Sequence, residues 1–191
     1  ANMELRDLSK VFSDILERAQ ALAAQAGSIL QYQIFADPVL GLVDIHLLER
    51  AILNMLSNAI KFGPAGGTIT AQVTRCGRMI TLSLTDSGSG IAENLQQTLF
   101  RRYLRQPGIE DGRFGMGLGM VLIRSAAARH GGTVLIDQPK GAGTRVTMTM
   151  AISQDTAYLR SPVLRVDYSG EQDHGLVELA HCLPLRSYYP K

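Results

Sequence analysis

Asn54, Asn58 and Lys61 stand at positions i, i+4 and i+7 within the stretch LLERAILNMLSNAIKF (47–62). At about 100° per residue they share one narrow stripe of a helix, while the apolar residues fall on a broad side opposite. The stripe could simply be the solvent-exposed side of a surface helix. Asn is a poor helix former, however, and two of them without charge pairing favour a stripe whose amide oxygens bind something.

The segment DSGSGI (86–91) offers one place for such a ligand. It puts Asp86 at the end of a predicted strand and follows it with Gly88 and Gly90. Glycines let the backbone approach a flat ligand closely, and an ionised carboxylate can accept hydrogen bonds from an amine. Taken by itself, a short run of this kind is more often an ordinary turn.

A second glycine-rich segment, GMGLGM (115–120), directly precedes a predicted helix. Its Gly115, Gly117 and Gly119 lie where the helix N–H groups and dipole favour phosphate. The spacing does not match the dinucleotide fingerprint GxGxxG, and the chain contains no GxxxxGK[ST]. Together with the amide stripe and Asp86, the segment favours binding of a metal–nucleotide complex.

The composition limits the class of protein. The chain has 191 residues, 46% hydrophobic and 19% charged, which is typical of one globular domain with length left for a tail. A net charge of +2 without a basic patch argues against nucleic-acid binding. No apolar run is long enough for a membrane span and no signal-peptide pattern is present, so we expect no membrane contact by this chain and a cytoplasmic location.

The cysteines and the first residues add two expectations. Cys76 and Cys182 are far apart in sequence and make no CxxC pattern, which indicates neither a zinc site nor a disulfide framework and favours a reducing compartment. The chain opens with Ala1 and Asn2 rather than with an initiator Met, which favours a fragment of a longer protein. Whether that parent protein is anchored in a membrane stays open.

The hydrophobic patterning predicts three helices and six strands. The helices are expected over 5–25, 45–62 (capped by Asp44) and 120–130, and the strands over 28–35, 39–43, 68–75, 79–86, 133–138 and 144–152. Hairpins are predicted for the first two strands, for the pair that turns at Gly77 and for the last two. Because helices and strands do not alternate strictly, we expect an α+β fold: a two-layer α/β sandwich whose mixed sheet is covered by helices on one face.

Five segments occur in an order that resembles a known family. They are NMLSNAIKF (54–62), DSGSGI (86–91), LFRRYLR (99–105), GMGLGMVLI (115–123) and GAGTRVTMT (141–149). In this order they resemble the N, G1, F and G2 boxes and the final strand of the ATP-binding catalytic domain of bacterial sensor histidine kinases, in the superfamily shared with gyrase, Hsp90 and MutL. The resemblance implies the Bergerat ATP-binding fold, with a catalytic domain over 1–152 and a C-terminal extension of unknown role over 153–191.

The resemblance implies ATP and Mg²⁺ as cofactors and assigns roles on the amide stripe. Asn58 would be the Mg²⁺ ligand, since a neutral amide oxygen suits a hard cation that takes its other ligands from water and phosphate. Asn54 would contact the hydration shell of the metal or a phosphate, and Lys61 a phosphate. Phe62 would lie against the adenine, although its position on the apolar side also fits a core role.

The resemblance places the base at the first glycine segment. Asp86 would accept a hydrogen bond from the adenine amino group. Guanine has a carbonyl there, so two acceptors would face each other and ATP would be preferred over GTP. The residues expected beside the base are Gly88, Gly90 and Ile91, with Thr144 in the water network at the carboxylate.

The phosphates and the lid are assigned from the remaining boxes. Phe100 would anchor a lid over about residues 92–114, and Arg105 or Arg102 would reach the γ-phosphate. This box departs from the commoner F-E-x-F-Y-R pattern, because Arg101 replaces the acidic residue and Leu104 an aromatic one. The residues expected to wrap the phosphates are Gly115, Gly117, Leu118 and Gly119.

The residue type at position 54 separates the possible reactions. The ATPase and anti-sigma-factor branches carry Glu there to activate water or a serine hydroxyl, and an amide is a very poor base. With Asn54, Lys61 and Arg105 as catalytic residues, we expect a protein histidine kinase that binds Mg-ATP and transfers its γ-phosphate to a histidine. A hydrolysing or serine-directed ATPase of the same fold, and a nucleotide-binding module without catalysis, remain the alternatives.

The phosphate acceptor is expected on another domain. None of the four histidines has the H-[ED]-x-[RK] setting that the family uses; they are His46, His130, His174 and His181. The expected partners are therefore ATP, a histidine-bearing dimerisation domain of the parent kinase, and the receiver domain of a response regulator within two-component signal transduction.

Overall fold

The computed structural model describes residues 2–89, 117–139 and 143–155. Within these ranges it has seven strands and three helices. In chain order they are β1 (Glu4–Asp7), α1 (Leu8–Gln25), β2 (Ile29–Ile34), β3 (Leu40–Val43), α2 (Ile45–Phe62), β4 (Thr68–Cys76), β5 (Met79–Asp86), α3 (Gly117–Arg129), β6 (Val134–Asp137) and β7 (Arg145–Ala151).

The main sheet has five strands in the order β2-β4-β5-β7-β6. Strand β2 runs parallel to β4 and the other pairs are antiparallel, so the sheet is mixed. Every second residue of β5 is buried, and Ile80, Leu82 and Leu84 pack in one core with the apolar sides of the helices. The expected α+β arrangement, a mixed sheet with helices over one face, is confirmed.

Helix α2 has the predicted bounds. Asp44 is its N-cap and accepts a hydrogen bond from Leu47 N at 3.0 Å, and Gly63 ends it by donating to Ala59 O at 2.9 Å. Both ends are set by local chemistry, an acidic cap and a Gly-Pro stop. The buried residues of the helix form its core face: Leu48, Ala51, Ile52, Met55, Leu56 and Ala59.

The beginnings of two helices differ from the prediction. Helix α1 starts at Leu8 rather than at residue 5, because Asp7 caps it by accepting from Ser9 N at 3.1 Å and Leu5 belongs to strand β1. Helix α3 starts at Gly117, three residues before the predicted start. In both cases apolar periodicity alone does not mark where the first turn begins.

The predicted pairing of the strands over 28–35 and 39–43 is wrong. Strand β3 pairs antiparallel with β1, and β2 pairs parallel with β4. The second pairing places Leu30 beside Ile69, and both side chains are buried at 2% exposure, so burial in the core selects it over a local hairpin. The other two predicted hairpins, β4 with β5 and β6 with β7, are confirmed.

Three expectations concern the rest of the chain. Cys76, the last residue of β4, is disulfide-bonded, so the argument from the cysteines for a reducing compartment does not hold. Among the helices described here, none has the length and hydropathy that crossing a membrane requires. Residues 156–191 lie outside the described residues, so the domain boundary after residue 152 stays a prediction. Ser153, just beyond that boundary, contacts the domain, because its carbonyl oxygen accepts a hydrogen bond from Leu42 N at 2.7 Å.

Helix α1 provides a test of the core. Phe12 is fully buried, whereas Leu22 on the same helix is 45% exposed. Phe12→Ala should lower the free energy of unfolding by about 3–5 kcal/mol, because it removes a buried ring and leaves a cavity. Leu22→Ala should change it by less than about 1 kcal/mol. Urea denaturation of both variants measures this, and equal effects would contradict the described packing of α1.

Candidate functional site

The first turn of α3 contacts the two asparagines of the amide stripe, Asn54 and Asn58. Asn54 is half-buried, and a Cβ added to Gly119 would lie 2.9 Å from Asn54 Oδ1. The amide nitrogen of Asn54 donates to Arg50 O at 2.8 Å, one turn back on its own helix. The oxygen is therefore directed to the beginning of α3. The interpretation of the stripe as a solvent-exposed side is wrong for Asn54, because this residue is half-buried against α3.

Asn58 lies against the next residue of α3. Its Nδ2 donates to Met120 Sδ at 3.7 Å, and Met120 is 1% exposed. A thioether sulfur accepts only weakly, but the contact orients the amide. No residue in the described ranges donates a hydrogen bond to Asn58 Oδ1, so this oxygen is available to a ligand.

The donor set at this position fits Mg²⁺ held largely by a ligand rather than by the protein. The described residues contain no group of three or more His, Cys, Asp or Glu side chains that could hold a metal ion. A cation here would have the amide oxygen of Asn58 and would complete its coordination with water and phosphate. Mg²⁺ prefers this arrangement, since it dehydrates reluctantly and usually takes only one or two protein ligands.

Lys61 and Phe62 form the exposed end of α2. The Nζ of Lys61 lies 5.6 Å from the centre of the Phe62 ring, and that ring residue is 42% exposed. The core role that the apolar side of the helix allowed for Phe62 is therefore excluded. The ring is partly accessible to a planar ligand, and the ammonium over it is accessible to an anion.

Asp86 is the last residue of β5 and is 4% exposed. Its Oδ1 accepts from Gly88 N at 2.8 Å. Its backbone is held on both sides, because Asp86 N donates to Thr144 O at 3.0 Å and Asp86 O accepts from Gly143 N at 3.0 Å. No described residue donates to Oδ2, so one carboxylate oxygen is anchored and the other can accept from a ligand.

Three glycines from three segments surround this carboxylate. A Cβ on Gly143 would overlap Asp86 Oδ1, one on Gly88 would lie 2.8 Å from the same atom, and one on Gly63 would lie 3.3 Å from Asp86 Cβ. Only glycine lets backbone pack so closely around the side chain. The sequence reasoning singled out Thr144 and Gly88 but missed Gly143 and Gly63. The signal for Gly143 was its place directly before Thr144 in the segment GAGTRVTMT.

The chain that leaves Asp86 is anchored on both neighbouring sides. Ser87 Oγ accepts from Thr68 N at 3.2 Å, at the beginning of β4. Ser89 O accepts from Gln138 Nε2 at 3.1 Å, directly after β6. These bonds hold the first residues of the DSGSGI segment next to the sheet.

Several predicted site residues lie outside the described part of the chain. Helix α3 begins at Gly117, but the side chain of Leu118 is not described. The lid as a whole, over residues 92–114, is also outside. The other predicted site residues outside the described ranges are Gly90, Ile91, Phe100, Arg102, Arg105 and Gly115.

Comparisons with known proteins identify the family. Residues 43–154 match the family model described as "Histidine kinase-, DNA gyrase B-, and HSP90-like ATPase". The chain belongs to this family. It contains the amide stripe, Asp86, the glycines around the carboxylate and α3 within the matched residues.

The relatives of this ATPase domain are named histidine kinases. SenX3, a sensor-like histidine kinase of Mycobacterium tuberculosis (strain ATCC 25618 / H37Rv), is 30% identical over 151 residues, which are 78% of this chain and 36% of SenX3. The histidine protein kinase DivJ of Caulobacter vibrioides is 35% identical over 109 residues, 57% of this chain and 18% of DivJ. The chain thus spans well under half the length of these relatives.

Solved structures share the fold of the ATPase domain. The catalytic domain of histidine kinase ThkA superimposes with a TM-score of 0.64 at 15% identity, covering 80% of this chain and 98% of that one. The mycobacterial sensor histidine kinase MprB gives 0.57 at 25% identity, covering 79% and 98%. The Bergerat-type sandwich expected from the sequence is thereby confirmed.

The contact between Asn54 and Gly119 can be tested with a double-mutant cycle. Gly119→Ala adds a methyl group next to Asn54 Oδ1, so it should destabilise the protein less when Asn54 is already Ala. We expect a coupling of at least about 0.5 kcal/mol in the free energy of unfolding, measured in urea. As a control, Ser57→Ala on the exposed side of α2 should combine additively with Gly119→Ala. Additive effects for Asn54 would contradict the contact.

Proposed function

We propose that this ATPase domain binds Mg-ATP and provides the γ-phosphate for transfer to a histidine. One observation carries the proposal: α2 contacts both glycine segments at once. Its Asn54 lies against Gly119, and its last residue contacts the first glycine segment, since a Cβ on Gly88 would lie 3.5 Å from Phe62 O. A ligand extending from Asp86 to the beginning of α3 would meet an adenine acceptor at one end and phosphate groups at the other.

Base selection rests on the open carboxylate oxygen. Oδ1 of Asp86 is engaged by Gly88 N, and Oδ2 would accept one proton of the adenine amino group. Guanine carries a carbonyl at that position, so two acceptors would face each other in a nearly buried setting. This would substantially weaken the binding free energy of GTP relative to ATP. The exposed ring of Phe62 provides an apolar surface for the base, and Thr144 joins the water network beside the carboxylate.

Phosphate binding rests on the beginning of α3 and on the stripe of α2. The N-terminal N–H groups and the dipole of α3 favour an anion next to Gly117 and Gly119. Asn58 Oδ1 would hold the Mg²⁺, Asn54 its water shell or a phosphate, and Lys61 a phosphate. The bound metal would supply neutralisation of the charge that builds on the phosphates during transfer.

Transfer of the phosphate to histidine, rather than to water, is proposed because residue 54 is not a base. Asn54 cannot remove a proton from water, and its amide is already tied to Arg50 O. A histidine nucleophile needs no such base, so positioning of ATP and stabilisation of charge would suffice. Arg105 or Arg102 of the lid would complete the γ-phosphate contacts.

The acceptor is proposed to be a histidine on the dimerisation domain of a two-component sensor kinase, from which a response regulator receiver domain would take the phosphate. Of the histidines that the structure describes, His46 is exposed on α2 and His130 is buried at 1% exposure. Neither is placed next to the phosphate end of the candidate site. A cytoplasmic position of the domain accords with this reaction, because ATP is supplied there.

Removal of the adenine acceptor tests the nucleotide site. Asp86→Asn replaces an acceptor oxygen by a donor, so we expect Mg-ATP affinity to fall at least about tenfold in isothermal titration calorimetry. The matched control is Asp14→Asn, an exposed carboxylate on α1 that pairs with Lys10 at 3.3 Å and should leave the affinity unchanged. Unchanged affinity in folded Asp86→Asn protein would refute the assignment.

The reaction can be tested with a separately produced dimerisation domain. Mixed with γ-labelled ATP, the two should yield phosphohistidine, which is lost in acid and stable in base. The ATPase domain alone should hydrolyse ATP slowly, because Asn54 supplies no base. Rapid turnover by the isolated chain, or acid-stable phosphate on serine, would favour the hydrolysing or serine-directed alternative; binding without any transfer would favour the non-catalytic module.

A further inference from the structure

His130 lies at a junction of three elements. It follows the last residue of α3 and is 1% exposed. Its backbone N–H donates to Ala126 O at 3.2 Å and to Ala127 O at 3.0 Å, which closes the helix. Its carbonyl accepts from Ala151 N at 2.8 Å, at the end of β7. The backbone of this residue is therefore fixed to α3 and to the sheet.

The imidazole of His130 joins α3 to α2. Asp44 N donates to His130 Nε2 at 3.0 Å, and His130 Nδ1 lies 2.7 Å from Ala126 O. Because a backbone N–H can only donate, Nε2 carries no proton and Nδ1 must donate to Ala126. The bond requires the neutral ring in one tautomer. Asp44 is the N-cap of α2, so the imidazole holds the residue that caps the helix that carries the amide stripe.

The surroundings of His130 favour this neutral form. Burial lowers the pKa of His130 below its ordinary value of 6.5, and Arg129 lowers it further, while the bond to Ala126 O and the charge of Asp44 act in the opposite direction. Strand β7 has one charged residue, Arg145, which pairs with Asp137. As the pH falls below about 6.5 the unfolded chain therefore takes up a proton before the folded one, and stability is lost.

The two helices connect this junction to the candidate site. Asp44 and Asn54 are ten positions apart along α2, and Gly119 and His130 are eleven positions apart along α3, which is about 15 Å in each case at 1.5 Å per residue. The helices touch at both ends of this span, through His130 at one and through Asn54 and Gly119 at the other. A tilt of a few degrees at the junction would move the site end by about 1 Å, a displacement that can greatly reduce binding or catalysis.

We propose that His130 is a positioning residue for the nucleotide site: by holding Asp44, it sets the separation between the amide stripe of α2 and the glycines that begin α3. It touches no part of the ligand itself. The proposal rests on the proposed function, because the geometry it controls matters only if Mg-ATP binds between these helices.

Three variants test the proposal. His130→Phe keeps a ring of similar size but offers no acceptor to Asp44 N, whereas His130→Gln keeps an acceptor and cannot take up a proton. The control is His46→Gln, an exposed histidine near the same end of α2. Mg-ATP affinity is measured by calorimetry on folded protein. The side-chain amide NMR signals of Asn54 and Asn58 are recorded without nucleotide.

We expect His130→Phe to weaken Mg-ATP binding at least about fivefold and to shift the two amide signals, and His130→Gln to stay within about twofold of the unchanged protein. The control should alter neither. Between pH 6.5 and 5.5, the folding equilibrium constant of the unchanged protein should fall by up to about fivefold relative to His130→Gln.

Two results would overturn the positioning role. If folded His130→Phe binds Mg-ATP as tightly as the unchanged protein, or leaves both amide signals in place, His130 only stabilises the fold. If His130→Phe does not fold, the role is refuted by His130→Gln losing affinity although it keeps the acceptor. Failure of the unchanged protein to bind Mg-ATP would instead refute the proposed function, while the amide signals would still report on the junction.

Discussion

The packing of α3 across the amide stripe of α2 is the contact on which the candidate site depends. Helix α2 is an ordinary amphipathic helix on its core face, where Leu48, Ile52 and Met55 are fully buried. On its second face Asn58 meets the Met120 side chain, but Asn54 meets glycine, so at this point the two helices approach until Asn54 Oδ1 is close to the Gly119 backbone. The absence of a Cβ at one position thus brings a polar side chain and a helix N-terminus together.

The other half of the site is made from backbone. Asp86 is enclosed by main chain from the end of α2, from the residues after β5 and from the residue before Thr144. Main chain cannot rotate out of the way as a side chain can, so the carboxylate is held with one oxygen engaged and one open. Side chains provide the functional atoms at both ends, whereas glycines determine how closely the elements approach them.

The sequence predicts features that local chemistry determines and misses those that depend on distant contacts. The bounds of α2 are predictable because Asp44 and Gly63 are cap signals next to the helix itself. The partner of β2 is not, because Leu30 finds its place beside Ile69 through the core and not through a turn. The sequence left a core role for Phe62 open, since its angle on the helix is apolar, but Phe62 is the last residue of α2 and is exposed.

The same distinction applies to the site. Asn54, Asn58, Lys61 and Asp86 could be proposed from residue type and spacing, because each carries the polar group that would meet a ligand. Gly143 could not be proposed in this way. It matters because a Cβ there would overlap Asp86 Oδ1, on a segment far away in sequence. The same holds for His130, because its hydrogen bond to the N-cap residue of α2 joins two positions that are far apart in sequence.

The bond from Asn54 Nδ2 to Arg50 O determines more than the direction of one oxygen. An acidic residue has no N–H with which to make this bond, so a carboxylate at position 54 would be repelled by the Arg50 carbonyl of its own helix and would turn toward the beginning of α3. A base introduced at position 54 would therefore lack the support that the Arg50 carbonyl gives to the amide. The amide is anchored by an atom of its own helix, whereas a carboxylate in its place would depend on a donor from another element.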